Sequence, residues 1–159
     1  MTFFARVFSM AEDIPSRNSI CDELLEEGFE FSTAPGKTEG EFGEQNWSHM
    51  SFQYSESGPL IELERNTPEL DGALFTDEKK EFLNIVDGLP YGKNTKRIKE
   101  LFSSMKQIYA FRLDDSMDDD GWQFLETVLD YLCDSTDGYV QIDGEGIYDK
   151  DGRLMLEFD

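Results

Sequence analysis

The alternation of apolar and polar positions divides the chain into short strand-like runs and longer runs with a helical period. Residues 2–10 read as a first strand. A helix follows near Pro15, capped by Asp13 or Ser16, with Ile20, Cys21, Leu24 and Leu25 on one face and Asp22, Glu23, Glu26 and Glu27 opposite. Gly28 suits the position just past its last turn. Phe29 to Thr33 alternates as a strand. Residues 34–46, rich in Gly, Glu, Pro and Lys and without periodicity, read as a mobile loop.

Met50, Phe52 and Tyr54 then point one way along a strand, residues 55–58 turn, and Ile61 and Leu63 lie on the buried face of the returning partner. Residues 66–75 read as a connector. A helix is expected after Thr76, with Phe82, Ile85, Val86 and Leu89 facing the core, until Pro90-Tyr91-Gly92 breaks it. Asn94 or Thr95 opens the next helix, in which Ile98, Leu101, Phe102 and Met105 share a face. Residues 107–113 form a strand. Trp122 to Cys133 is a helix with Trp122, Leu125, Val128, Leu129, Leu132 and Cys133 inward, ended by Gly138. Residues 139–142 form a further strand, and a turn at Asp149-Lys150-Asp151-Gly152 returns the chain along 154–158.

A β-α-β-β order recurs at both ends, without a residue-level repeat. Strands in hairpins, not strictly alternating with helices, predict a single α+β domain over residues 1–159. Its mostly antiparallel sheet has about six to seven strands, with about four helices packed on one side of it.

Composition agrees with a folded chain. Of 159 residues, 15 are Leu, 8 Ile, 4 Val and 13 Phe, enough apolar side chains for a core. No run is long and apolar enough to span a membrane. The segment 1–8 lacks the basic region and long apolar core of a secretion signal. The two cysteines, Cys21 and Cys133, lie far apart, which suits free thiols in a reducing compartment, and a cytoplasmic location is expected.

Charge changes the picture most. There are 35 acidic and 14 basic residues, net −21. Residues 1–78 hold 17 acids and 4 bases, residues 79–109 hold 3 acids and 7 bases, and residues 110–159 hold 15 acids and 3 bases. Such a chain repels nucleic-acid phosphates and anionic membranes, so neither is an expected partner. A basic protein patch or a divalent cation is attracted instead. The basic middle is expected to be compensated internally by the acidic thirds. Acidity also serves solubility without any partner.

Few catalytic constellations are available. Two distant cysteines and one histidine do not make a zinc site. His49 stands alone at the start of a strand, and no partner for it can be read from spacing. Asp114, Asp115, Asp118, Asp119 and Asp120 crowd seven positions before a helix. Placed on an EF-hand template with Gly121 as the sixth loop residue, they leave Ser116 and Thr127 at the anchoring ends, so the pattern fails. Acids there also favour a helix start, with Asp119 or Asp120 as its cap. Gly144-Glu145-Gly146 lacks the third glycine of a dinucleotide fingerprint, and no P-loop occurs. It predicts a bulged or kinked strand, and the competing functional reading is that Asp143 or Glu145 faces a cleft. Trp47, Tyr54, Trp122, Tyr139 and Tyr148 are expected mainly in the core.

Two functions are consistent with this pattern. One is a small acidic interaction protein (an inhibitor, an immunity-like factor or an adaptor) that binds a basic partner electrostatically and uses no cofactor. Its candidate binding residues are Asp114, Asp115, Asp118, Asp119, Asp120, Asp143 and Glu145. The other is a carboxylate-based enzyme or small-ligand-binding domain using Asp143 and Glu145, with Mg2+ or Ca2+.

Overall fold

A computed structural model describes residues 2–159. Strand β1 (Thr2–Ser9) puts Ala5 and Val7 on one face and Phe8 on the other, and all three are buried. Helix α1 (Arg17–Glu26) starts on Ser16, whose hydroxyl accepts the Ser19 N–H at 3.0 Å. Strand β2 (Ser32–Ala34) is shorter and later than the predicted 29–33. Phe29 and Phe31 instead pack edge-on against Phe124, at centroid distances of 5.3 and 5.6 Å, and ladder pairing begins with Ser32 opposite Gln53. Within the 34–46 segment, Phe42 is buried in a short 3-10 turn, and Arg17 donates to the Glu41 carbonyl at 2.5 Å.

Strands β3 (His49–Gln53) and β4 (Ile61–Asn66) form a hairpin with Met50 opposite Leu63 and Phe52 opposite Ile61. Helix α2 (Pro68–Asp87) begins well before Thr76 because two caps precede it. Thr67 accepts the Leu70 N–H at 3.1 Å, the backbone leaves helical geometry at Asp71, and the Asp71 carboxylate accepts the Leu74 N–H at 3.0 Å and restarts the helix. Helix α3 (Lys93–Ser104) opens at Gly92. There the Thr95 hydroxyl accepts the Gly92 N–H at 2.8 Å.

Strand β5 (Gln107–Asp114) leads into helix α4 (Asp119–Thr136), which Asp118 caps by accepting the Gly121 N–H at 3.0 Å. The cap is therefore one residue earlier than Asp119. Asp137 ends the helix in the left-handed region at φ 55°, which releases Gly138 into strand β6 (Gly138–Ile142). Strands β7 (Gly146–Tyr148) and β8 (Leu154–Glu157) complete the chain.

The eight described strands form one sheet in the order β2-β3-β4-β5-β1-β6-β7-β8, with every neighbouring pair antiparallel. Among the described residues the architecture is α+β with four α-helices. The extra strand relative to the predicted six to seven is the three-residue β7, hidden behind Gly144-Glu145-Gly146. Those residues make a tight hairpin turn and not a kink within one strand.

Helices cover both faces, which corrects the one-sided expectation. Tyr109, Phe111 and Leu113 pack with α1 and α4, while Phe8 and Ile108 pack with α2 and α3. The central strands carry apolar side chains at both parities, so each face must be covered. Beyond β6 the two layers differ. Tyr139, Ile147 and Leu156 are buried against α3, but on the opposite face α4 is the last helix, and Val140 and Ile142 remain half-buried.

Candidate functional site

Helix α4 packs on β1 and β6, and its outer side overlooks the uncovered end of the sheet. A groove of about 800 Å3 runs between α4 and the β6–β7–β8 hairpins. Its floor is apolar: Trp122, Leu129 and Cys133 from α4, Val140 and Ile142 from β6, and Tyr148 from β7. Trp122 and Cys133, expected to point inward, are half-exposed here, and Trp122 is held by stacking on Phe3 at 5.6 Å.

Both walls are acidic. Glu126, Asp130 and Asp134 follow one another at four-residue intervals on α4, so they form a single stripe along the groove. Glu145, Asp149 and Asp151 stand on the other side, at the tips of the two hairpins. The one basic lining residue, Lys150, is engaged by Asp137 and lies 5.7 Å from the centre of the Tyr139 ring.

The hairpin wall is rigidly built. Gly144 and Gly146 hold φ values of +82° and +136°, and a Cβ on Gly146 would lie 1.9 Å from the Leu156 carbonyl oxygen. Only glycine fits there. Glu145, thrust out between them, bonds the Tyr148 hydroxyl, and this bond raises the Tyr148 pKa. One Asp149 carboxylate oxygen accepts the N–H groups of both Asp151 and Arg153 at 2.9 Å and so shapes the second turn.

Partial desolvation, and then the neighbouring Asp134, push the Asp130 pKa above the usual carboxylate value. Burial, and then Asp130 and Asp134, push the Cys133 thiol up to about 12. Cys21 rises to about 11, chiefly through burial. Both thiols are free, and neither forms an appreciable thiolate near neutrality.

Of the seven carboxylates singled out in the sequence, Glu145 lines this groove and the others lie elsewhere. Asp114 ends β5 and accepts the Ser116 N–H at 2.9 Å, and hydrogen bonding from the Ser116 side chain, then from its backbone, lowers the Asp114 pKa. Asp115 is exposed beside it. Asp118 is committed as the α4 cap, and Asp119 and Asp120 are exposed in the first turn. Asp143 accepts bonds from the Phe4 N–H, Arg6 and Gln141, and so locks the β6–β7 turn onto β1. Among the described residues, no group of three or more His, Cys, Asp or Glu side chains is arranged to hold a metal ion. His49 faces Glu64 across the β3–β4 ladder, and its carbonyl accepts from Arg17 at 3.1 Å. Trp47 is buried, with its indole N–H donating to the Pro15 carbonyl at 2.8 Å.

Among the described residues the basic middle meets an acid of its own segment and acids of the C-terminal third. Lys99 pairs with Asp87, and Asp149 and Asp151 share with Lys93 and Arg97 the smaller cleft beside the groove. No described helix is long and apolar enough to cross a membrane.

The residues missed by sequence reading are Glu126, Asp130 and Asp134 on α4 and Asp149 and Asp151 on the hairpin. Their signal was the four-residue spacing on the polar face of a helix, which ordinary solvated helices share. Compared with known protein families, curated proteins and solved structures, the chain matches none.

Proposed function

We propose that this chain is an acidic interaction protein, of the inhibitor, immunity-like or adaptor kind, that binds a basic protein partner and works in a reducing compartment such as the cytoplasm. The observation that carries this reading is the groove beside α4, where two rows of carboxylates flank an apolar floor. Apolar area supplies affinity and charge supplies steering and register, the division found at protein interfaces. The net charge of −21 adds long-range attraction for a cation and repulsion for nucleic acid. Asp114, Asp115, Asp119 and Asp120 contribute to that field from the start of α4, outside the groove.

The test is affinity capture from the native cell with the wild-type chain and with the E126Q/D130N/D134N variant, followed by reconstitution with the purified partner. The expected partner is basic, associates more slowly with the variant and loses association rate as salt rises. A partner that binds both proteins alike, or one that carries no basic surface, overturns the reading.

A further inference from the structure

The groove has a shape and a hydrogen-bonding state that select the kind of segment it accepts. Its floor strand β6 is already paired on both sides, with β1 and with β7, and β7 is paired with β6 and β8. The floor therefore presents no unpaired ladder edge to which an extended peptide can add, and strand addition is closed to this site. A segment lying in an apolar channel must still satisfy its own N–H and C=O groups. The secondary structure that does so within one segment is a helix.

The position agrees. On this face of the sheet the helical layer stops at α4, while the opposite face continues under α3. The channel is thus the place of a next helix beside α4. The acidic stripe from Glu126 to Asp134 covers nine residues of α4, a span of about 12 Å, or a little over two helical turns. Basic side chains at four-residue spacing on a neighbouring helix meet such a stripe, and a second basic row meets Glu145, Asp149 and Asp151.

We infer that the groove between α4 and the β6–β8 hairpins docks a cationic amphipathic helix of the partner, with its apolar face on Trp122, Val140 and Ile142 and flanking Lys or Arg on the two acidic walls. This rests on the basic-partner reading above and narrows it to one secondary structure. In the free protein Asp130 is partly desolvated and, secondly, repelled by Asp134, and a cation placed between the two carboxylates offsets that repulsion.

The probe is a labelled synthetic peptide of about 14 residues with a leucine stripe flanked by lysines, long enough for about four turns and marginal as a helix alone. A second peptide of identical charge carries a central proline, which breaks the helix. We expect the first to bind wild-type protein with a gain of helical circular dichroism. The proline peptide should bind at least about tenfold more weakly, and E126Q/D130N/D134N should weaken the first by about tenfold or more. D22N/E26Q/E27Q, the same charge change on the exposed side of α1, should leave the affinity within about twofold. Equal binding of the two peptides, an undiminished affinity for the groove variant, or no binding of the helical peptide overturns the inference. The broader reading falls separately, when the captured partner is indifferent to the groove carboxylates.

Discussion

The Arg6 guanidinium donates to the Asp143 carboxylate at 3.0 Å and ties the β6–β7 turn to the first strand of the chain. The same Asp143 oxygen accepts from Gln141 at 2.9 Å, and the other accepts the Phe4 N–H at 3.0 Å. Arg6 in turn reaches Glu78 of α2 at 3.1 Å and lies 5.0 Å from the ring centres of both Phe4 and Phe82. Asp143 is thus a latch and not a free ligand. Asp143→Ala should lower stability by about 1–2 kcal/mol, since charge-assisted bonds are lost from a partly exposed site. Asp143→Asn, which keeps an acceptor, should lose less. Urea unfolding decides, and equal midpoints for all three proteins would remove the latch.

The β6–β7 turn is more sensitive still at Gly146. Its φ is +136°, and a methyl group there would sit 1.9 Å from the Leu156 carbonyl oxygen, so alanine cannot enter without moving β8. Gly146→Ala should cost roughly 3 kcal/mol or more, at the upper end of single substitutions. Gly144→Ala meets no atom within 4 Å and suffers only from its φ of +82°, about 1–2 kcal/mol. Thermal melts that rank Gly144→Ala as the worse variant would contradict this geometry.

The carboxylates at the start of α4 should separate by role. Asp118→Ala removes the acceptor for the Gly121 N–H and should cost about 1 kcal/mol. Asp119→Asn and Asp120→Asn change only a charge near the helix dipole, at about 0.3–0.5 kcal/mol each. Denaturant midpoints for the three variants check the assignment. A cap at Asp119 or Asp120 would invert the order.

Asp130 sets a pH-dependent test. Its pKa is raised in the folded state, so between the ordinary value of 3.8 and that raised value the folded chain binds more protons than the unfolded chain. Stability contributed through this group therefore falls as pH rises across that interval. Asp130→Asn should be more stable than wild type at neutral pH, and the gain should shrink as pH is lowered toward 3.8. Paired melts across the acid range measure the difference directly. A gain that grows on acidification has the wrong sign. Loss of partner binding in the same variant would show why a destabilising carboxylate stands there.

Salt should raise the melting temperature. The chain carries 35 acids against 14 bases, and ion pairs such as Lys99–Asp87 and Arg112–Glu62 lie on the surface. Self-repulsion is therefore poorly compensated, and screening over a Debye length of about 10 Å at 0.1 M relieves it. Melting should be higher in about 0.3 M than in about 0.01 M monovalent salt. A curve that falls with salt would point to net stabilisation by exposed pairs.

Most elements were legible from periodicity, because a side chain's face depends on its neighbours three, four or two positions away. Leu25, expected on the apolar face of α1, is exposed, but the Met50/Phe52 and Ile61/Leu63 hairpin, Ile20, Cys21 and Leu24 of α1, and Leu125, Val128, Leu129 and Leu132 of α4 are buried as that rule requires. Arg65 was not foreseen: it shares parity with Ile61 and Leu63, and it is buried with its guanidinium on the Trp47 carbonyl at 2.8 Å and Gln107 at 3.1 Å. Lateral order was not legible. β1 lies between β5 and β6, with Val7 opposite Tyr109 on one side and Val140 on the other, and nothing local to residues 2–9 names partners a hundred positions away. The groove fails for the same reason. Trp122 and Cys133 have the same periodic standing as Leu125 and Leu132, yet the first two line a surface and the others are buried. The difference is the end of the helical layer beside α4. A residue's apolar character is local, but its burial requires a second surface to cover it, and which surfaces meet is settled only when strands far apart in the chain choose their neighbours.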